Sequence, residues 1–129
     1  MRGVIVKRAA IVNEDERRKL VELMNGQFAG KSIKILEVKE ESYLGGTSGH
    51  WHNYAECMYM LKGKCWGYKT TNVDTGESDI YNLEEGDIMF RGPRIIHGGM
   101  FAKGSVILDI AEGTYISGDY NDTPREETK

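Results

Sequence analysis

Gly45–Gly63, GGTSGHWHNYAECMYMLKG, sets His50, His52 and Glu56 at even spacing, with Met58 and Met60 on the same parity. Side chains two apart on an extended strand share a face. Two imidazoles and a carboxylate are therefore expected to point together into the interior of a sheet. Tyr54 is in phase with them, whereas Trp51 and Cys57 are out of phase and expected to face away from a pocket. The chain holds 3 histidines. The third, His97, falls in a second turn-rich stretch, Gly86–Gly99, GDIMFRGPRIIHGG.

Outward from this stretch the pattern is one of strands. Residues 32–40, 55–63, 64–73, 78–84, 87–90 and 105–112 are rich in β-branched and aromatic residues and bounded by Gly, Asp, Asn or Pro. Asp74-Thr75-Gly76-Glu77 predicts a turn that joins two strands as a hairpin. Residues 3–10 open the chain as a first strand. The period then changes. Asn13 with Glu16 three residues on, an acidic first turn, and Leu20, Leu23 and Met24 before Gly26 predict a short N-terminal helix over 14–25, packed as a lid or plug on the outside of the sheet. Strands at this spacing without a second helix indicate an all-β antiparallel sandwich or barrel rather than parallel βαβ units. The polar tail NDTPREETK is expected to fray.

A length of 129 residues predicts one domain spanning 1–129, with a core that needs no disulfide. The formal charge of −3 and isoelectric point near 5.6 argue against a nucleic-acid partner. No apolar run approaches the roughly 18 residues of a membrane span, and no signal-peptide core follows the start. A soluble, cytoplasmic protein without a membrane partner is the expectation. Cys57 and Cys65 flank the turn at Lys62-Gly63-Lys64 and could face each other across a hairpin, but two cysteines in a short cytoplasmic chain are more often reduced.

The two motifs, 45–63 and 86–101, resemble those of the cupin superfamily. His50, His52, Glu56 and Gly63 fill the places of the first motif, and Gly86 and His97 those of the second. Pro93 lies one position late, Ile95 stands near the place of a glycine, Phe101 replaces the closing asparagine, and the opening glycine is Gly45 where Leu44 would be expected. The resemblance implies a jelly-roll β-barrel in which His50, His52, Glu56 and His97 bind a divalent transition metal, and a homodimer.

A lone HxH carries little weight, because a buried histidine bonded to a carbonyl is commoner than a ligand. Glu56 in phase and His97 at the family's distance give the metal reading its force. Three imidazoles and a carboxylate suit Fe, Mn, Ni, Cu or Zn, and affinity order alone does not choose among them. Such a set leaves coordination positions open for a small-molecule substrate. Trp66 and Tyr68 share parity and are expected to line the barrel. Tyr54 and Tyr68 are the candidate catalytic groups, and Trp66, Arg91 and Arg94 the candidate substrate contacts. The two arginines flank the loop before His97 and suit an anionic substrate.

Three functions follow. The first is a metal-dependent isomerase or dioxygenase acting on a small oxygenated, carbohydrate-derived molecule. A narrower likeness to cupin ketoisomerases and epimerases of nucleotide sugars implies a second, in which the histidines are general acid and base. Those ketoisomerases usually carry an arginine before the histidine pair and a glutamine where this chain has Glu56. The third is a non-catalytic module that binds a metabolite.

Overall fold

The computed structural model describes residues 1–26, 28–45 and 51–113, and all regular structure among them is β. The strands are β1 (Val4–Arg8), β2 (Ala10–Glu14), β3 (Lys19–Glu22), β4 (Ser32–Glu37), β5 (Ser42–Leu44), β6 (Glu56–Lys62), β7 (Lys64–Asn72), β8 (Ser78–Glu84), β9 (Asp87–Arg91), β10 (Ile95–Phe101) and β11 (Val106–Ala111). They form a five-stranded sheet in the order β1-β9-β6-β11-β4, a four-stranded sheet β5-β10-β7-β8, and a separate hairpin β2-β3. Every pairing is antiparallel. No helix among the described residues is long and apolar enough to cross a membrane.

The core joins the two larger sheets. Met58, Met60, Met89 and Ile107 from the first meet Cys65, Leu83, Ile95 and Phe101 from the second in one buried cluster. The six strands predicted from Lys31 onward are present with small shifts at their ends. So is the hairpin turn at 74–77, where the Asn72 side-chain oxygen accepts the amides of Asp74 and Thr75 at 2.9 and 3.0 Å.

The helix expected over 14–25 is absent: this segment holds the β2-β3 hairpin. Asp15 decides it. Its Oδ1 accepts the amides of Arg17 and Arg18 at 2.8 and 3.1 Å, while the Asp15 amide donates to the Arg18 carbonyl at 3.0 Å. An acidic side chain that captures two amides locally closes a turn instead of starting a helix. The β-branched Ile11, Val12 and Val21 then extend on either side. Leu20, expected on the buried stripe, is exposed.

Strand β10 has no counterpart among the predicted strands, because Gly98 and Gly99 interrupt its pattern. They serve close packing. A Cβ on Gly98 would lie 2.6 Å from the Tyr43 hydroxyl, and one on Gly99 2.8 Å from Tyr68 Cα. Only glycine lets β5 and β7 approach β10 this closely.

Candidate active site

Glu56 opens β6 and lies directly opposite Arg91, the last residue of β9. His97 comes from the middle of β10 in the facing sheet. His52 is not on a strand. It lies in the irregular segment before β6, so its meeting with Glu56 arises from a bend at Asn53-Tyr54 and not from the shared strand parity expected. His52, Glu56 and His97 are all buried, and each offers a ligand atom within 4.8 Å of the others. This cluster could hold a metal ion. The remaining expected ligand, His50, lies outside the described residues.

One carboxylate oxygen organises the site. Glu56 Oε1 is 3.4 Å from His52 Nε2, 4.0 Å from His97 Nε2 and 3.1 Å from Arg91 Nη2. The Nδ1 of His97 lies 2.9 Å from the Ile95 carbonyl, which can only accept. Nδ1 therefore carries the ring proton, and in the neutral ring the Nε2 lone pair faces Glu56. His52 and His97 have ring centroids 5.7 Å apart, Tyr54 stacks on His52 at 4.9 Å, and Tyr68 stacks on His97 at 6.2 Å.

Arg91 is 4% exposed and stays charged. Its Nη1 donates to the Tyr68 hydroxyl at 3.0 Å. Burial alone would raise the Glu56 carboxyl, but the positive charge of Arg91 and then the fields of His97 and His52 outweigh it, holding Glu56 well below the usual carboxylate range. Burial pushes the Tyr68 phenol up, beyond what the neighbouring guanidinium offsets, so it stays protonated.

The sequence reading missed Asp109. It lies on β11, bridges to Lys34 Nζ at 3.6 Å and shares a hydrogen bond with Glu56. Burial, reinforced by the negative charge of Glu56, raises its carboxyl to about 7 against the pull of Arg91 and Lys34. A signal existed in the sequence: Ile107, Asp109 and Ala111 alternate on the inward parity of an otherwise apolar strand. A lone carboxylate on that face needs a partner inside.

The other expected contacts separate. Arg91 ends β9 at the edge of the loop before His97, as expected, but it is the buried counter-ion of Glu56. Arg94 is held away from the cluster. Its Nε donates to both Asp74 oxygens at 3.0 and 3.1 Å, and its guanidinium lies 4.7 Å from the Trp51 ring centroid. It stands at φ 64°, and its amide donates to the His52 carbonyl at 2.8 Å, so it clasps the His52 segment from outside. Trp66 does not share a face with Tyr68. The pairing of β7 with β8 shifts between Cys65 and Tyr68, its pairing with β10 shifts between Trp66 and Lys69, and Gly67 takes φ 62°. This bulge turns Trp66 outward, to 36% exposure, while Cys65 and Tyr68 both face the core. Trp51, expected to face outward, is 1% exposed. Cys57 and Cys65 are both free and buried, with thiols raised by burial to about 11 and about 12.

No family model matches the sequence, and no curated protein matches it. Solved structures do. A 3,4-ketoisomerase from Helicobacter canadensis superposes with a TM-score of 0.74 at 20% identity, over 97% of this chain and 94% of its own. The WlaRB TDP-quinovose 3,4-ketoisomerase from Campylobacter jejuni gives 0.74 at 15% identity, over 99% and 98%. A mutant of the 3,4-ketoisomerase QdtA from Thermoanaerobacterium thermosaccharolyticum, in complex with TDP-4-keto-6-deoxyglucose, gives 0.71 at 17% identity, over 92% and 86%. At these identities the likeness is one of fold, and the chain has the cupin fold that these sugar ketoisomerases share.

Proposed function

We propose that the protein is a single-domain cupin barrel that isomerises or epimerises a nucleotide-linked keto-sugar by moving protons next to the carbonyl. The observation that carries this reading is the Arg91–Glu56 pair inside the histidine cluster. It makes Glu56 the counter-ion of a permanent buried cation and leaves the two imidazoles as proton carriers. The near full-length likeness to sugar ketoisomerases supports the substrate class.

The competing reading is a metal centre at His52, Glu56 and His97. Their donor atoms suit a transition metal, but the guanidinium at the same carboxylate oxygen does not. Two unit charges about 4 Å apart repel by roughly 4 kcal/mol at an effective dielectric of about 20, and a divalent ion doubles that. The residues present therefore fit proton transfer better than a resident metal.

In the proposed reaction His97 Nε2, the unprotonated ring nitrogen, takes the proton from the carbon that bears a hydroxyl beside the ketone. The C–H electron pair forms the enediolate double bond, and the carbonyl pair moves onto oxygen. Tyr68 accepts from Arg91 through its oxygen, so its own O–H proton can be donated to that oxyanion. As the new carbonyl forms, the hydroxyl proton passes to the Tyr68 oxygen, which has given its own proton to the former carbonyl oxygen. His52, entering the cycle as the imidazolium, delivers a proton to the former carbonyl carbon; exchange with solvent then removes the proton from His97 and restores that of His52. Return of a proton to the original carbon from the opposite face gives epimerisation instead.

The test is incubation with TDP-4-keto-6-deoxyglucose in D2O, read by NMR and mass spectrometry, before and after metal stripping. Deuterium is expected beside the carbonyl with or without chelator, and is expected to disappear in His97→Asn, whereas His52→Asn is expected to retain that exchange and lose the isomerised product. Exchange that stops on chelation and returns with added metal would put the metal centre first. Binding without any exchange would make the protein a binding module.

A further inference from the structure

The imidazoles of His52 and His97 are held in different ways. His97 lies inside β10, opposite Thr70 of β7, and its ring is fixed by the Ile95 carbonyl at 2.9 Å from Nδ1. His52 belongs to no strand, so no ladder fixes its backbone. It is set by contacts around it instead. Its ring stacks on Tyr54, 4.9 Å away and within 10° of parallel, and Tyr54 rests against Gly113, where a Cβ would overlap the ring. Its carbonyl accepts the Arg94 amide at 2.8 Å.

Arg94 ties this segment to the hairpin turn after β7. Its own carbonyl accepts the Val73 amide at 3.0 Å, its Nε donates to both Asp74 oxygens at 3.0 and 3.1 Å, and its guanidinium covers the ring of Trp51, the neighbour of His52. Among the described residues Arg94 is the one non-glycine with a positive φ. Residues held in this strained region cluster at functional sites. Stability is not what the clasp chiefly supplies: the Arg94 and Asp74 side chains are 37% and 61% exposed, and ion pairs that solvent reaches contribute little. What the clasp does fix is direction, because the amide, the carbonyl and the guanidinium of one residue are each committed to a different neighbour.

We propose that Arg94 and Asp74 are positioning residues for His52: their clasp fixes the His52 carbonyl and the Trp51 ring beside it, and so aims the His52 imidazole at the carbon that it protonates. This rests on the proton-transfer reading of the site. A misplacement of about 1 Å costs on the order of 100-fold in rate, so releasing the clasp slows the step assigned to His52. The step assigned to His97 is spared, because neither its ladder to Thr70 nor its bond to Ile95 involves the Asp74 side chain.

The test follows TDP-4-keto-6-deoxyglucose in D2O and measures separately the entry of deuterium at the carbon that His97 deprotonates and the appearance of isomerised product. Wild type, Asp74→Ala, Asp74→Glu and Arg94→Gly are compared, with thermal melts to confirm folding. Asp74→Ala and Arg94→Gly are expected to form product about 10–100-fold more slowly with exchange and KM nearly unchanged, and Asp74→Glu, which keeps the carboxylate, to retain most of the product rate. Equal loss of both rates would mean a general disturbance of the site, a rise in KM alone would make Arg94 a substrate contact, and an unchanged product rate would leave the clasp without effect; each overturns the proposal. The ring signals of His52 and His97 in NMR spectra, assigned from the histidine variants, keep the two readings apart. In Asp74→Ala only those of His52 are expected to shift, whether or not substrate is turned over. A wild type that exchanges nothing would sink the proton-transfer reading, whereas His52 signals unmoved by Asp74→Ala would sink the positioning role.

Discussion

Removing Arg91 tests whether the Glu56 charge is committed to it. The two side chains are 4% and 8% exposed and 3.1 Å apart, with Tyr68 taking a further hydrogen bond from the guanidinium. Arg91→Met keeps the length and apolar contacts of the stem but strands a buried carboxylate. Breaking a buried ion pair from one side costs about 3–5 kcal/mol, and that range is expected here. Glu56→Gln keeps an acceptor for Arg91 and removes the charge, so a loss of about 1.5–3 kcal/mol is expected, as for hydrogen bonds to charged groups. The double variant leaves neither charge stranded, so its loss should fall short of the sum by roughly 2 kcal/mol or more. Urea unfolding at neutral pH, followed by far-UV circular dichroism and fitted by linear extrapolation, gives all four stabilities. Additivity to within about 0.5 kcal/mol would show that the two residues do not depend on each other, and the assignment of Glu56 as counter-ion would fall.

Asp109 predicts a pH effect of definite sign. Its folded carboxyl is raised from 3.8 to about 7, so its stabilising contribution is complete below the unfolded value and is lost as pH rises through the folded one. Wild type should therefore lose stability relative to Asp109→Asn between pH 5 and pH 8, and a melting-temperature difference that is flat over that range would contradict the assignment. Arg94 stands at φ 64°, where glycine is favoured over alanine by roughly 1 kcal/mol. Both Arg94→Gly and Arg94→Ala lose the Asp74 and Trp51 contacts, so the glycine variant should unfold at higher denaturant. Equal midpoints would mean that the left-handed backbone is not retained in solution.

Local pattern in the sequence determined much of this protein. The strand runs after Lys31, the 74–77 hairpin and the buried parity of Glu56, Met58 and Met60 follow from alternation and turn chemistry, which act between near neighbours. The sequence also singled out His52, Glu56 and His97, which the fold brings within 4.8 Å. Tertiary structure decided the rest, because the competing local choices differ by little and distant contacts choose between them. Helix and hairpin were both open to residues 10–25 until Asp15 bound two amides of its own turn. The glycines of β10 looked like a loop until β5 and β7 closed against them. A single bulge at Gly67 reversed the face of Trp66, which no alternation rule starting from Lys64 could register. The site itself was altered in the same way. Arg91 and Arg94 look alike in sequence, yet strand pairing sets one against Glu56, and a left-handed backbone sends the other to Asp74. Which cation meets which carboxylate depends on the register of strands far apart in the chain, and that register exists only in the folded sheet.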